Sequence, residues 1–247
     1  MHCDRPLLAS PAMARARRTS TTPAASVRRR ARYHHGNLRA ALIEATERLI
    51  EEGGTEHVTV RAAARRAGVS SGAPFRHFPT RTALMTAVAE QATHRLRTAV
   101  VNALAATDPT DARAGCVAFG RAYLRWATQN PIQFRVVSDR SLIDYESSPS
   151  MVGDNAVLRS LMHGVLAEGQ RRGTIRAGGI AELQVAARAM VYGLARMVVD
   201  GHFAQWGIPG RKLETTMAEA FALLLDGIAP APLADTKPRA PRRRSAR

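Results

Sequence analysis

The amino-acid sequence predicts an all-α fold in two parts, three short helices followed by a longer helical domain. Three observations lead there. From Leu38 to Ile228, apolar residues recur at i, i+3, i+4 and i+7 in one segment after another, the stripe of helices buried on one face. No segment alternates apolar and polar residues as a half-buried strand would. The first stripes begin after Asn37, Thr59 and Ser70 or Ser71, and breaks fall at Gly53-Gly54, Gly68, Asp108-Pro109, Asn130-Pro131 and Gly173.

The first helix starts after Asn37, its expected cap. It carries Leu38, Ala41, Leu42, Ala45, Leu49 and Ile50 before Glu51-Glu52-Gly53-Gly54 ends it. Thr59 is placed to cap a second helix with Val60, Ala63, Ala64 and Ala67 inward. Gly68 then turns the chain, because a steep turn between helices needs a left-handed residue, which glycine adopts without a Cβ penalty. Val69 is placed to plug the corner, and Ser70 or Ser71 is expected to cap the third helix. Pro74 favours Ser71, since that cap puts the proline in the first turn, where its missing amide costs little. The exposed side of this helix is then Ser70, Ser71, Gly72, Ala73, Arg76 and His77, with Phe75 and Phe78 as core anchors opposite.

Residues 58–85 hold five arginines and no carboxylate. A helix N-terminus with free amides and a serine hydroxyl binds phosphate oxygens well. Small residues there let the helix approach a base edge, and Arg and His donors behind them reach a guanine edge or a phosphate. The segment therefore reads as a DNA-reading helix-turn-helix. A helical hairpin with a solvated basic face is the plainer alternative, since the same geometry occurs in proteins that touch no DNA.

Pro79-Thr80-Arg81 opens a longer helix through Leu84, Met85, Val88, Ala92, Leu96 and Val100, which stops at Asp108-Pro109. A helix over about 111–129 carries Val117, Phe119, Tyr123, Trp126 and Ala127. Asn130-Pro131 ends it before a short segment with Ile132, Phe134 and Val137. Residues 138–150 are polar and turn-rich, as in a loop. The next helix, running to Gly173, has Val157, Leu158, Leu161, Met162 and Val165 on one side. Another spans about 181–200 with Leu183, Ala187, Met190, Val191, Leu194 and Val198. The last has Leu213, Met217, Phe221, Leu224 and Ile228. These two apolar closing helices need a surface to bury against, either their own core or a second copy of the chain.

Charge is unevenly spread. Residues 1–36 hold eight arginines and one aspartate, and residues 229–247 hold six basic residues and one aspartate, so most of the formal net charge of +16 sits at the ends. Rich in Ala, Pro, Ser and Thr, both segments are expected to be disordered. The arm Val27-Arg28-Arg29-Arg30-Ala31-Arg32 directly precedes the first helix, where it could follow a DNA backbone or enter a minor groove. A run of 18 apolar residues is absent, and residues 1–20 lack the apolar centre of a secretory signal, which points to a soluble, cytoplasmic protein without a membrane partner.

Catalysis has little support. Cys3 lies in the arm expected to be disordered and Cys116 is alone in a helix, so neither a disulfide nor a thiolate cluster is indicated, and adjacent His34 and His35 would point apart on a helix. No metal, cofactor or catalytic residue is expected.

Residues 33–90 resemble the DNA-binding domain of the tetracycline-repressor (TetR) family of bacterial transcription regulators. The resemblance rests on YHHGNLRAALIEATERLIEEGG, on the helix-turn-helix, and on APFRHFPTRTAL, a small residue, an aromatic, an aromatic-Pro and a basic residue in the family's closing pattern. It implies a basic arm at 1–32, a helix-turn-helix domain at 33–85, a helical effector-binding and dimerisation domain at 86–228 and a basic tail at 229–247. By the same likeness, His77, Arg81 and either Thr59 or Arg61 meet phosphates, while Ser70, Ser71, Gly72, Ala73 and Arg76 read the operator. Phe75 stands where the family commonly has tyrosine, and Arg81 where it commonly has lysine.

The resemblance further implies a homodimer formed through the last two helices, with Leu213, Met217, Phe221 and Leu224 at the interface. A small-molecule effector would bind in the second domain, for which Tyr123, Trp126, Phe134, Met162, Arg188, Met190 and Tyr192 are the candidate lining. The segment Tyr123 to Arg135 is similar to a TetR subgroup that also carries a Trp and a His-Gly pair in its penultimate helix. Arg188 and Tyr192-Gly193 stand there instead, so only the glycine matches. Together these features imply a dimeric repressor that reads a near-palindromic operator and is released by its effector. The rival reading is an architectural protein that binds DNA with little sequence preference through its arginine-rich ends.

Overall fold

Four of the helices begin where a side chain takes up a free amide. In the computed structural model, which describes residues 38–230, the Thr59 hydroxyl accepts from Ala62 N–H at 3.0 Å and Thr80 from Ala83 N–H at 3.0 Å. Asp111 accepts from Ala114 N–H at 2.8 Å and Ser148 from Met151 N–H at 3.3 Å. Each cap satisfies a donor that the helix itself leaves unpaired.

Nine α-helices follow among the described residues. They are α1 (Leu38–Gly53), α2 (Val60–Ala67), α3 (Arg81–Ala105), α4 (Ala112–Gln129), α5 (Pro131–Ser138), α6 (Pro149–Arg171), α7 (Ile180–Val199), α8 (His202–Gln205) and α9 (Leu213–Gly227). Short 3-10 turns lie at Thr55–His57, Ala73–Arg76 and Gly210–Lys212. The fold is all-α, as the sequence predicts. No helix among the described residues is long and apolar enough to cross a membrane. Both basic ends, with Cys3, His34, His35 and the Asn37 cap, lie outside the described residues apart from Ala229 and Pro230.

From Arg39 onward the helices form one packed unit. α3 is its spine: it starts beside the helix-turn-helix and packs farther along against α4, α5 and α6. α4 in turn meets α6, α7 and α9, and α9 closes over α4 and α7. The core along this spine runs through Ala92, Leu96 and Val100 of α3, Phe119, Tyr123 and Trp126 of α4, and Leu158, Met162 and Leu166 of α6.

Several stripes differ from expectation, most clearly those of α6 and α9. On α6 the buried face is Met151, Asp154, Leu158, Met162, Leu166 and Gly169, and Val157 points outward. A stripe read from apolar letters could not include Asp154. It can be buried because Arg97 donates to it at 2.8 Å and His94 stands 3.5 Å away. On α9, Met217, Phe221 and Leu225 are buried, whereas Leu213 and Leu224 are half-buried.

Candidate nucleic-acid interface and internal cavity

Thr59, at the cap, and Arg61, in the first turn of α2, are both exposed. Gly68 ends α2 at φ 70° and ψ 30°, its N–H directed to Ala64 and Arg65 carbonyls. The left-handed conformation expected of it is present. The next segment departs from expectation. Only a 3-10 turn forms, from Ala73 to Arg76, with Gly72 before it and no side-chain cap. Ser70 contributes its carbonyl, which accepts from Ala73 N–H at 3.2 Å, so neither Ser70 nor Ser71 caps a helix. Ten residues between Gly68 and Pro79 that include Gly72 and Pro74 are poor material for α-helix nucleation: glycine costs about 1 kcal/mol relative to alanine, and proline donates no hydrogen bond.

This turn also reverses the expectation for Phe75. Successive residues of a 3-10 helix are rotated by about 120°. Pro74 takes the inward position, which turns Phe75 outward at 41% exposure, while Phe78, beyond the end of the turn, is buried at 2%. Ser70, Ser71, Gly72, Phe75, Arg76 and His77 are all exposed and Ala73 is half-buried. Arg61, Arg65 and Arg76 have no carboxylate partner among the described residues, while Arg66 forms a two-pronged ion pair with Glu52 at the end of α1. The Arg66 hydrogen bonds hold the Glu52 carboxyl below its usual range.

Arg81, an expected phosphate ligand, is turned inward instead. Its Nε donates to Val58 O at 3.1 Å and its Nη2 to Thr55 O at 2.8 Å. The guanidinium thus ties the start of α3 to the link between α1 and α2, giving the Val58 carbonyl a donor and adding a second to Thr55 O, which already accepts from Val58 N–H at 3.1 Å.

The second site is a cavity of about 270 Å³ among α4, α6, α7, α9 and the loop after α5. Of the residues expected to line it, Tyr123, Met162 and Arg188 do so. Trp126, Phe134, Met190 and Tyr192 do not. Trp126 stacks obliquely with Tyr123 at 6.4 Å between centroids and edge-on with Phe134 at 6.5 Å, and Phe134 meets Tyr192 at 5.7 Å. These rings fill the core beside the cavity, and the buried Trp126 indole N–H has no hydrogen-bond partner. Arg188 lies over Tyr123 at 4.8 Å and Tyr192 at 5.7 Å, rather than pairing with Glu182 or Asp200. Burial pushes the Tyr123 hydroxyl pKa up, and Arg188 opposes the shift.

Phe221 is both a core residue and a cavity wall. With Met217 it was expected at an interface between copies, yet both side chains are buried within the chain. The ring lies so close to Gly120 that an added Cβ would stand 2.5 Å from its Cε1. Arg140 and Tyr145, also at the cavity, come from a loop that periodicity cannot place.

Several polar contacts link α1 and α3, the helices on either side of the reader, to α5 and the start of α6. Glu47 of α1 accepts from Gln133 of α5 at 2.9 Å, and Glu90 of α3 accepts from Arg39 of α1 at 3.0 Å and from Ser148, the cap of α6, at 2.9 Å.

This arrangement can be set beside known proteins. Residues 42–88 match the sequence model of bacterial regulatory proteins of the TetR family, and residues 116–239 match that of the tetracyclin repressor-like C-terminal domain, which alone spans half the chain. The chain belongs to the TetR family. TetR proteins are DNA-binding transcription regulators and not enzymes, and that is this protein's general role. A protein of unknown function from Rhodococcus sp. RHA1 is 28% identical with a TM-score of 0.68, covering 80% of this chain and 98% of its own. The TetR regulator PfmR from Thermus thermophilus has the same fold at 20% identity and a TM-score of 0.60, over 75% of this chain and 97% of its own. The ketosteroid transcriptional regulator KstR2 of Mycobacterium tuberculosis does so at 19% and 0.59, over 78% and 95%. No curated protein sequence matches the chain significantly.

Proposed function

We propose that this TetR protein is a homodimeric, cytoplasmic repressor that binds a near-palindromic operator and is released when a small molecule enters the cavity. The observation that carries the DNA half is the exposed turn from Ser70 to His77, flanked by Arg61, Arg65 and Arg76 with no carboxylate partner among the described residues. In this reading Thr59, Arg61 and His77 meet phosphates, Ser70, Ser71, Gly72 and Ala73 approach the bases, and Arg76 reads a base edge. Phe75 packs on the sugar-phosphate backbone beside them. Arg81 acts through its brace on the turn before α2.

Dimerisation is supported by where apolar surface is left over. The three most exposed large apolar side chains among the described residues are Trp206 at 74%, Leu223 at 73% and Val185 at 68%, all in the last part of the chain. A second copy covering α7 and α9 would bury Leu223 and Val185, with half-buried Leu213 and Leu224 beside them, and would place two readers on successive major grooves. Release follows if a ligand binds better to the conformation whose readers are misplaced, for which coupling of about 1–3 kcal/mol is typical. The route is short: α3 runs from the reader into the core, and the Glu47–Gln133 and Arg39–Glu90–Ser148 contacts tie α1 to α5 and α6.

Footprinting on the DNA flanking its own gene tests the reading. A protected near-palindrome bound about a thousandfold above random DNA at fixed salt supports it. Uniform, sequence-tolerant binding favours the architectural alternative. Sedimentation of Leu223→Glu tests the dimer, with a monomer as the expected result.

A further inference from the structure

The charge of the cavity is one-sided. Arg140 of the loop after α5, Arg159 of α6 and Arg188 of α7 all line it, and no lining residue carries a carboxylate. None of the three arginines has an acidic partner among the described residues; Arg140 instead lies 3.6 Å from the centre of the Tyr145 ring, and Arg188 over Tyr123 and Tyr192. All three side chains are exposed, so they stand where the cavity meets solvent, whereas Phe119, Leu158, Met162, Val191 and Phe221 behind them are buried and apolar. The two amides at the wall are partly engaged: Asn155 donates to Met151 O at 2.9 Å and Gln184 to Arg159 O at 2.7 Å. The strongest donors without a carboxylate partner are therefore the guanidinium groups, of which Arg188 also hydrogen-bonds the neutral Tyr123 hydroxyl.

We infer that the cavity takes an amphipathic anion, a carboxylate with an apolar ring or chain, whose charged end is held by Arg140, Arg159 and Arg188 and whose body lies against the apolar wall. Three like charges lining one cavity without a counter-ion repel one another, and an anionic ligand relieves that repulsion while gaining charge-assisted, fork-shaped hydrogen bonds. Size sets the scale of the body. A dry cavity of about 150 Å³ holds benzene, so by proportion a space of 270 Å³ holds about eleven heavy atoms, the size of 3-phenylpropionate or decanoate. This inference rests on the cavity being the effector site, and it adds the ligand's chemical class.

The test is calorimetric titration of the full chain with 3-phenylpropionate and decanoate, and in parallel with their uncharged primary amides. Both carboxylates should bind, and each amide should bind at least about tenfold more weakly, the loss that follows when a charge-assisted hydrogen bond is removed. Arg188→Gln and Arg159→Gln should each weaken the carboxylates about tenfold and leave amide binding within about twofold, with Arg121→Gln on the exposed face of α4 as the charge control. Unchanged thermal transitions show that the variants fold. Amides that bind as tightly as the acids, arginine variants that bind the acids normally, or no binding of either acid at about 1 mM would each overturn the inference. Operator release, measured on the same samples, separates it from the functional reading. Arginine-dependent acid binding without release keeps the anion site and rejects its effector role, while release driven equally by the amides does the reverse.

Discussion

Glu47, in the helix that precedes the reader, accepts a hydrogen bond from Gln133 at 2.9 Å, and Gln133 lies in the short helix that follows the aromatic segment beside the cavity. Eighty-six residues separate the two in sequence. Both are half-buried, so the bond is partly shielded from water. A double-mutant cycle with Glu47→Ala and Gln133→Ala in urea denaturation should give a coupling of about 0.5–1.5 kcal/mol. If the contact also transmits ligand binding, Gln133→Ala should reduce ligand-driven loss of operator affinity while ligand affinity stays within about twofold. Additive single-mutant effects would show that the contact carries nothing.

Arg81→Ala should destabilise the fold, because the link before α2 loses both guanidinium bonds, leaving the Val58 carbonyl without that donor and Thr55 O with the Val58 N–H alone, at about 1–3 kcal/mol. Arg81→Lys should rescue little, since an ammonium cannot reproduce the fork that reaches Thr55 and Val58 together. Thermal melting of the three proteins decides this. A normal melt combined with a salt dependence of DNA binding lowered by about one counterion would restore Arg81 as a phosphate ligand.

Phe75→Ala should shift stability by less than about 0.5 kcal/mol, as for an exposed residue, and still lower DNA affinity. Arg76→Ala should cost about 1–3 kcal/mol on the preferred site and flatten the preference at one base pair per half-site. Equal losses on specific and random DNA would make Arg76 a phosphate contact.

Gly120→Ala places a methyl group against the Phe221 ring, which must move towards the cavity or away from the core. A cost of about 1–3 kcal/mol is expected, with weaker ligand binding. A melting temperature and affinity equal to wild type would mean that the ring moves freely.

Burial pushes the Cys116 thiol up to about 11, from the usual 9.0. Its protonated form is favoured in the folded state, so the contribution is complete below pH 9. It fades as pH rises towards 11 because the unfolded chain ionises first. In a Cys3→Ser background, changing Cys116 to Ala should flatten the stability decline between those pH values by about 2 kcal/mol. An unchanged slope would remove Cys116 from the alkaline transition.

The sequence by itself determined the helical class, the cap at Thr59, the left-handed turn at Gly68 and the concentration of five arginines without a carboxylate in residues 58–85. The class, the cap and the turn follow from local rules: a hydroxyl within reach of a nearby amide, a missing Cβ, a 3.6-residue period. What a side chain meets across the fold was decided only by tertiary structure. Periodicity marks Phe75 and Phe78 alike as aromatic anchors, but Pro74 already occupies the inward position and sends Phe75 to solvent. Trp126 and Tyr123 share one helix face, yet only Tyr123 borders the cavity, because Phe134 packs on Trp126. Asp154 enters a core stripe through an arginine 57 residues away, and Arg140 and Tyr145 reach the cavity from a loop with no period at all. Local conformation depends on a few neighbouring residues. The partners of a side chain depend on how helices far apart in the chain come to pack, and no single segment contains that information.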